Sequence, residues 1–365
     1  MGVESLFEPF SCKNLQLKNR FVMAPMSRYQ NEGGIPNNDY AQYHQERAAG
    51  NLGLTITGAT AIDRLAASNH PGIANINQAA QLGWQNVVDK VHNVGGPIAI
   101  QLWHAGGLFN VDPQWQPAPL ESPSGYEGMD NKQIGKPLTD AQIADCIDEF
   151  AKAALLAKNV GFDAIEIHGA HGFLIDQFFW DVTNRRTDQW GGSSLVARSR
   201  FALEVIKAIR AAVGEDMAIL MRISQWKEQD YTIKLAQTPN ELETWLAPLY
   251  EAGVDIFHCS QRRFWEAEFE GSDLNLAGWV KKLLHVPTIT VGSVGLSNDV
   301  MSFFHGEKTD NAPLDELIRR YERGDFDLVA VGRTLLADPQ WINKVRDNKI
   351  EEISAVDVKE IVKWI

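Results

Sequence analysis

Two imidazoles stand three residues apart in the run Ala164 to Phe173, Ala-Ile-Glu-Ile-His-Gly-Ala-His-Gly-Phe, each followed by a glycine. Phe162 to Ile167 reads as a parallel strand buried on both faces, and ligands collect just beyond the carboxyl ends of such strands. His168 and His171 at that end can hydrogen-bond one oxygen of a substrate or bind a metal. A solitary histidine there is usually a satisfied polar residue. The glycine-spaced pair favours function.

Other residue types repeat the theme at other strand ends. Thr290-Val-Gly-Ser-Val-Gly-Leu and Val331-Gly-Arg-Thr each follow an apolar run. Gly292, Ser293 and Gly332 let backbone N–H groups approach a ligand closely, and Arg333 adds a bidentate cation, a combination suited to phosphate. Gln101 and Arg222 close two further runs. An arginine ending Ala-Ile-Leu-Met-Arg is costly to bury without an anionic partner. Ala24-Pro-Met-Ser-Arg-Tyr follows the first run and puts Ser27 and Tyr29 on one face, while Met26 by itself reads as core filler.

The elements that must position these groups are eight short apolar runs: 20–23, 53–57, 97–102, 162–168, 217–222, 254–259, 288–291 and 326–332. Helical periodicity is clearest over 78–94, 140–160, 195–213 and 240–252. Thr139 and Asp140 offer N-caps to the second of these, and Gly161 stands where a terminating glycine belongs. Strand–helix alternation implies parallel strands with right-handed crossovers, and eight units point to an α/β fold of the TIM (β/α)8 barrel class. A doubly wound open sheet is the runner-up, but no G-x-G-x-x-G opens an early helix. No linker divides the chain, so residues 1–365 read as a single domain. Two long loops, 105–137 with its five prolines and the aromatic, acidic 261–277, fall on the carboxyl-end face. The second reads as a partial lid, because Phe264, Trp265 and Phe269 suit a bare surface poorly.

Composition narrows the function classes. The net charge of −13 carries no basic run, which argues against nucleic acid or an anionic membrane as partner. Cys12, Cys146 and Cys259 are widely spaced with no C-x-x-C, so neither a disulfide framework nor a zinc or iron–sulfur site is expected. A reducing, cytoplasmic location fits that usage. The first residues lack a signal-peptide pattern, and no apolar run is long enough to cross a bilayer. A homo-oligomer is compatible with all of this.

Taken in order, these residues resemble the old yellow enzyme family of FMN-dependent oxidoreductases. The resemblance runs through Leu6-Phe-Glu-Pro, Lys18-Asn-Arg, Ala24-Pro-Met, Gln101-Leu-Trp-His-Ala-Gly and His168-Gly-Ala-His-Gly. It continues through Arg186-Thr-Asp-Gln-Trp-Gly-Gly-Ser, Arg222-Ile-Ser and Val331-Gly-Arg. It implies FMN at the carboxyl-end mouth of the barrel, with NADH or NADPH as reductant. Ala24, Pro25, Met26 and Ser27 would line the flavin, Ala59 would give a backbone contact, and Gln101 and Arg222 would bond the pyrimidine edge. Gly292, Ser293, Gly332 and Arg333 would hold the phosphate. His168 and His171 would bond the oxygen of an α,β-unsaturated carbonyl or nitro compound, and Tyr29, Trp103 and Phe173 would shape the pocket.

Two positions depart from the family pattern. Phe173 stands where a proton-donating tyrosine is usual, which leaves the proton to water, with Tyr29 as second candidate. Gly107 replaces the arginine that often follows His-Ala-Gly, which implies a roomier loop. Two other readings remain beside the ene-reductase: a metal-dependent barrel hydrolase using the histidine pair and a carboxylate, and a flavin-binding carrier with reduced activity. The first lacks a further His/Asp cluster, and the retained histidines argue against the second.

Overall fold

The computed structural model describes residues 2–108, 114–128 and 132–356. Eight parallel strands close into a barrel: β1 (Phe21–Met23), β2 (Leu54–Ile62), β3 (Ile98–Trp103), β4 (Ala164–His171), β5 (Ala218–Lys227), β6 (Ile256–Ser260), β7 (Thr288–Val291) and β8 (Leu328–Val331). Each pairs in parallel with the next, and β8 pairs with β1 to complete the ring. All eight runs expected from the sequence are strands. The helices between them are α1 (Asn38–Ala49), α2 (Gln81–His92), α3 (Asp140–Val160), α4 (Arg200–Val213), α5 (Pro239–Glu251), α6 (Leu276–Leu284), α7 (Asp315–Arg323) and α8 (Trp341–Arg346). The architecture is a TIM barrel.

Local chemistry accounts for the boundaries. Thr139 accepts from the Gln142 N–H while the Gln142 side chain returns to the Thr139 N–H, a reciprocal cap that starts α3. Gly161 ends it in a left-handed conformation, φ 105°. On α4 the buried residues Phe201, Val205, Ile206, Ile209 and Val213 recur at helical spacing and pack against the sheet. The barrel interior holds Val22, Leu54, Ile56, Ala99, Ala164, Leu220, Ile256, Ile289 and Leu328 in one cluster with Leu15 and Leu17. Those two leucines belong to an N-terminal antiparallel hairpin, Phe10–Cys12 with Leu15–Leu17, which plugs the amino end of the barrel and was not expected from the sequence.

Three strands outrun their expected ends by three residues or more, and each time a polar or glycine residue had masked the continuation. β2 passes Gly58 through a register shift between Ile56 and Ala59. There a side chain on Gly58 would come within 2.7 Å of the Met26 carbonyl, so only glycine permits the approach. β4 continues past His168 to His171, again through a shift. β5 continues past Arg222 to Lys227, so Arg222 lies inside the strand and does not close it. Likewise Gln101 is followed by two more strand residues.

The loops on the carboxyl-end face differ from expectation in detail. The reading of 105–137 as one long loop falls partly on 109–113 and 129–131, outside the described residues. Gly107 does not open it: a side chain there would lie 2.5 Å from Ile134 Cδ1 and 3.1 Å from Ser122 Cβ. The returning chain has filled the space an arginine would take. In 261–277 the rings are anchored and not spread as a cover. Phe264 and Phe269 are buried, the Phe264 N–H donates to Gly292, and Asn275 ties the Phe264 carbonyl to Thr290.

Candidate active site

Strand register sets the floor of the mouth. Gln101 faces Glu166, His168 faces Arg222, Arg222 faces His258, and Ser224 faces Ser260 across adjacent strands. Gln101 Nε2 donates to Glu166 Oε1 at 2.8 Å, and Glu166 Oε2 pairs with His258 Nδ1 at 2.7 Å. Glu166 therefore fixes which end of the Gln101 amide is spent and leaves Oε1 as an acceptor. Arg222 Nη2 reaches Ser260 Oγ at 3.4 Å, while its buried Nε has no partner among the described residues. An unmet guanidinium N–H in a buried site calls for a ligand oxygen or ring nitrogen.

The histidine pair sits directly above this floor. The Ala170 N–H donates to His168 Nδ1 at 3.4 Å, which makes Nδ1 the acceptor and leaves the ring proton on Nε2. His171 Nε2 lies 2.8 Å from Ser260 Oγ, and its backbone N–H donates to Ser224 Oγ at 2.9 Å. Its φ of 67° is a left-handed conformation that a histidine adopts only when its surroundings impose it. Burial, followed by the Arg222 charge, holds both imidazoles well below their ordinary pKa. Both are neutral at physiological pH, and neutral rings donate without bringing a charge into the site.

Aromatic rings wall the pair on two sides. Phe173 meets His168 edge to face at 4.8 Å and Trp103 at 5.2 Å. On the other side Trp226 stacks on His171 at 4.3 Å, Tyr231 stacks on Trp226 at 5.1 Å, and Arg262 lies 5.0 Å over Tyr231. Arg262 and Arg263 both pair with Asp299, at 2.6 and 2.8 Å.

A cavity open on one side reaches His171, Arg222, Trp226, Ser260 and Arg262 of these groups. Ala24, Pro25, Met26, Gly292, Ser293, Gly332 and Arg333 line it as well, while Gln101, His168, Trp103 and Phe173 are not among its lining residues. Ser27 lies beside Gly58, and Ala59 pairs with Gln101 across β2 and β3. Arg333 donates to the Asn298 and Asp299 carbonyls at 2.7 and 3.0 Å and to Ser293 Oγ at 3.3 Å. Burial lowers its pKa to about 10, so it stays charged at neutral pH. Gly332 faces space: a side chain there would find nothing nearer than Met26 Sδ at 3.6 Å.

Tyr29 stands apart from the strand. It follows β1 by six residues, beyond the strand, so strand alternation does not govern it. Its φ is 52°, and its ring turns edge-on to His70 at 4.8 Å.

The sequence reading missed Glu166, His258, Ser260, Trp226 and Glu228. Period-two alternation from Arg222 would have found Trp226. On β5, Ile223, Gln225 and Lys227 turn outwards, with Gln225 on Ala236 and Lys227 on Asp176. Arg222, Ser224 and Trp226 turn towards the mouth, and Glu228 lies one residue past the end of the strand. Glu228 donates its N–H to the His171 carbonyl at 3.1 Å. Enclosure by protein pushes its carboxyl up to about 7, and Arg222 pulls it part of the way back. Glu228 is nonetheless exposed, and solvent screening offsets much of that shift.

A buried ion pair holds the turn that carries this geometry. Lys227 Nζ contacts both oxygens of Asp176 at 2.7 and 2.8 Å, and Asp176 accepts the Gly172 N–H at 2.7 Å. Among the described residues no three His, Cys, Asp or Glu side chains gather as a metal site, and no helix is long and apolar enough to cross a membrane.

The chain resembles known proteins over nearly its whole length. A family model described as the NADH:flavin oxidoreductase / NADH oxidase family matches residues 5–352. The chain is 34% identical over 362 residues to an NADH oxidase of Thermoanaerobacter brockii, covering 96% of this chain and 52% of that protein. It is 32% identical over 341 residues to an NADPH dehydrogenase of Clostridium acetobutylicum, covering 92% and 93%. The chain thus spans about half the length of the first relative and nearly all of the second. Morphinone reductase in complex with tetrahydroNAD superposes with a TM-score of 0.80 at 25% identity, over 98% of this chain and 94% of that one.

Proposed function

Because this chain belongs to the NADH:flavin oxidoreductase / NADH oxidase family, the old yellow enzymes, and is an FMN- and NAD(P)H-dependent oxidoreductase of that kind, we propose that it reduces activated C=C bonds. The substrates are α,β-unsaturated carbonyl or nitro compounds. The observation that carries this reading is the neutral His168–His171 pair set over the unmet Arg222 Nε and beside the Arg333 pocket.

The donor set fits FMN. Arg333, Ser293 and the backbone at Gly292 and Gly332 would hold its phosphate. The Gln101 Oε1 acceptor and the Arg222 donors match the N–H and carbonyl groups of a pyrimidine edge. Ala24, Pro25, Met26, Ser27 and Ala59 offer small or flat surface for the ring system. When bound, FMN supplies hydride chemistry.

This chain's own residues do the rest. The reduced nicotinamide and then the enone occupy the compartment between Phe173 and Trp226 in turn, so the reaction runs as two half-reactions. His168 Nε2–H and His171 donate to the substrate's carbonyl or nitro oxygen. As hydride reaches the β-carbon, negative charge grows on that oxygen, and fixed donors stabilise it without reorganising. Glu166 and Ser260 hold Gln101 and His171 in place. The aromatic walls exclude water from the reacting carbons.

The test is anaerobic reduction of the purified yellow protein by NADH and by NADPH, followed by mixing with cyclic enones and nitroalkenes. Reoxidation with formation of the saturated product is expected. A flavin that is reduced by the nicotinamide and reoxidised only by oxygen or ferricyanide would refute the substrate class.

A further inference from the structure

We propose that the Ser260 hydroxyl sets the tautomer of His171: it takes a hydrogen bond from Arg222 and gives its own proton to His171 Nε2, so that Nδ1 carries the ring proton offered to the substrate oxygen. Ser260 is then a positioning residue that acts through the imidazole. The proposal rests on the enone reading above and deepens it.

The case is a count of protons. Arg222 Nη2 lies 3.4 Å from Ser260 Oγ, and a guanidinium has donors only, so the oxygen accepts there. That leaves the hydroxyl proton to be placed. Ser260 is buried at the end of β6, and its Oγ has one other partner among the described residues, His171 Nε2 at 2.8 Å. Were Nε2 protonated, two N–H groups would point at one oxygen whose own proton had no acceptor, a costly arrangement in a buried site. The imidazole is neutral, because burial and the Arg222 charge disfavour its cation, so it has a single proton and that proton sits on Nδ1. Nδ1 bonds to none of the described residues and is open to the cavity that His171, Arg222 and Ser260 all line.

The surroundings hold the ring against turning over. Trp226 stacks on it at 4.3 Å with planes 23° apart, and the indole Nε1 donates to the Ser260 carbonyl at 3.2 Å. Ser224 accepts the His171 N–H at 2.9 Å and donates to the Trp226 carbonyl at 2.7 Å. Backbone, ring face and ring edge thus close one circuit through Ser224, Trp226 and Ser260.

His168 is set the other way, since its Nδ1 accepts the Ala170 N–H and Nε2 keeps the proton. The register shift between Gly169 and His171 leaves the two rings 84° apart in plane and 5.2 Å apart in centroid. Crossed in this way, each ring offers the nitrogen that the protein has not already engaged. From Arg222 through Ser260 and His171 to the substrate oxygen, every bond then runs in one donor direction, and each strengthens the next.

The first test needs no substrate. In ¹H–¹⁵N spectra of the FMN-loaded protein carrying ¹⁵N-histidine, a protonated ring nitrogen and a bare one are distinguished by shift, and the His171 signals are those lost in His171→Asn. Wild type should show Nδ1 protonated and Nε2 bare. Ser260→Ala should move the proton to Nε2 or spread it over both nitrogens, and Ser260→Thr should restore Nδ1. A wild-type spectrum with Nε2 protonated, or one that Ser260→Ala leaves unchanged, would overturn the proposal.

The second test compares reoxidation of the reduced holoenzyme by cyclohexenone with reoxidation by ferricyanide, which has no carbonyl oxygen to be held. Ser260→Ala should lower the enone-to-ferricyanide ratio about 10- to 100-fold, the usual effect of removing the group that orients a working histidine. The loss should fall on the limiting rate more than on the half-saturating enone concentration, because the charge that Nδ1–H meets grows only as hydride arrives. Ser260→Thr should recover most of it, and FMN absorbance confirms that each variant is folded. A ratio unchanged in Ser260→Ala although the tautomer has moved would also overturn the proposal, since His171 would not then be donating through Nδ1. A wild type that reduces ferricyanide but no enone would overturn the enone reading, while the spectrum would still decide the tautomer.

Discussion

Removing the guanidinium at Arg333 separates phosphate binding from scaffolding. Arg333 already makes four bonds to its own chain, two to Asn298 and one each to Asp299 and Ser293, at 2.7 to 3.5 Å. It remains charged because its pKa of about 10 lies well above neutrality. A charge-assisted bond to phosphate is worth roughly 1.5–3 kcal/mol, so Arg333→Ala should weaken FMN binding by about 10- to 150-fold. Riboflavin carries the same rings without the phosphate, and its affinity should change by less than about 3-fold on the same arithmetic, a few tenths of a kcal/mol. Fluorescence titration of the stripped protein with each ligand reads both constants. Arg333→Lys keeps the charge but not the fork and should fall between. Equal weakening for both ligands would refute the reasoning, since it would mean that Arg333 serves only to hold the 298–299 segment.

Three further outcomes can be checked. His168→Ala and His171→Ala should keep bound FMN yet slow enone-driven reoxidation by ~100-fold or more in stopped flow, the usual effect of losing an oxyanion donor. Lys227→Met strands the Asp176 carboxylate in a buried site and should cost about 3–5 kcal/mol in denaturant unfolding, with a smaller loss in Lys227→Met/Asp176→Leu. His44 is fully buried, neither ring nitrogen has a partner among the described residues, and burial lowers its pKa to about 3. The unfolded chain therefore takes up a proton near pH 6.5 that the folded protein refuses until about 3, so stability is lost as pH falls through that window. At pH 4.5 the loss from this group is about 2–3 kcal/mol, and His44→Phe should show a smaller drop in Tm between pH 7.5 and 4.5.

The sequence disclosed the barrel because each strand is a short apolar run and each helix has its own period and caps. Strand ends were harder to read. Gly58, Gly169 and Arg222 look like terminators, but the ladder passes the first two by shifting register and buries the third. The phosphate side of the site was legible because its residues are local: glycine, serine and arginine sit in two short loops. The floor was not, because Gln101, Glu166 and His258 meet through strand register, across 65 and 92 residues of chain. Nothing near Glu166 in sequence signals that its partners are an amide on one strand and an imidazole on another. Tyr29 could not be placed by alternation either, because it lies past the end of β1, where the backbone turns left-handed.

The same long-range pairing explains why the two ends of the mouth are built as one unit. Asp299 accepts from Arg262 and Arg263, caps the Val300–Phe304 turn, and offers its carbonyl to Arg333. Arg262 in turn covers Tyr231, which stacks on Trp226, which stacks on His171. A phosphate held by Arg333, as proposed, would act on the segment that also anchors this column, and the column ends on the ring proposed to meet the substrate. Each contact in it is worth only about 0.5–1.5 kcal/mol. What the column fixes is orientation: a histidine held at φ 67° between Ser224, Ser260 and a tryptophan face has little freedom left. Its electrostatic contribution is therefore in place before charge develops on the substrate oxygen, which is the condition under which a neutral donor is most effective.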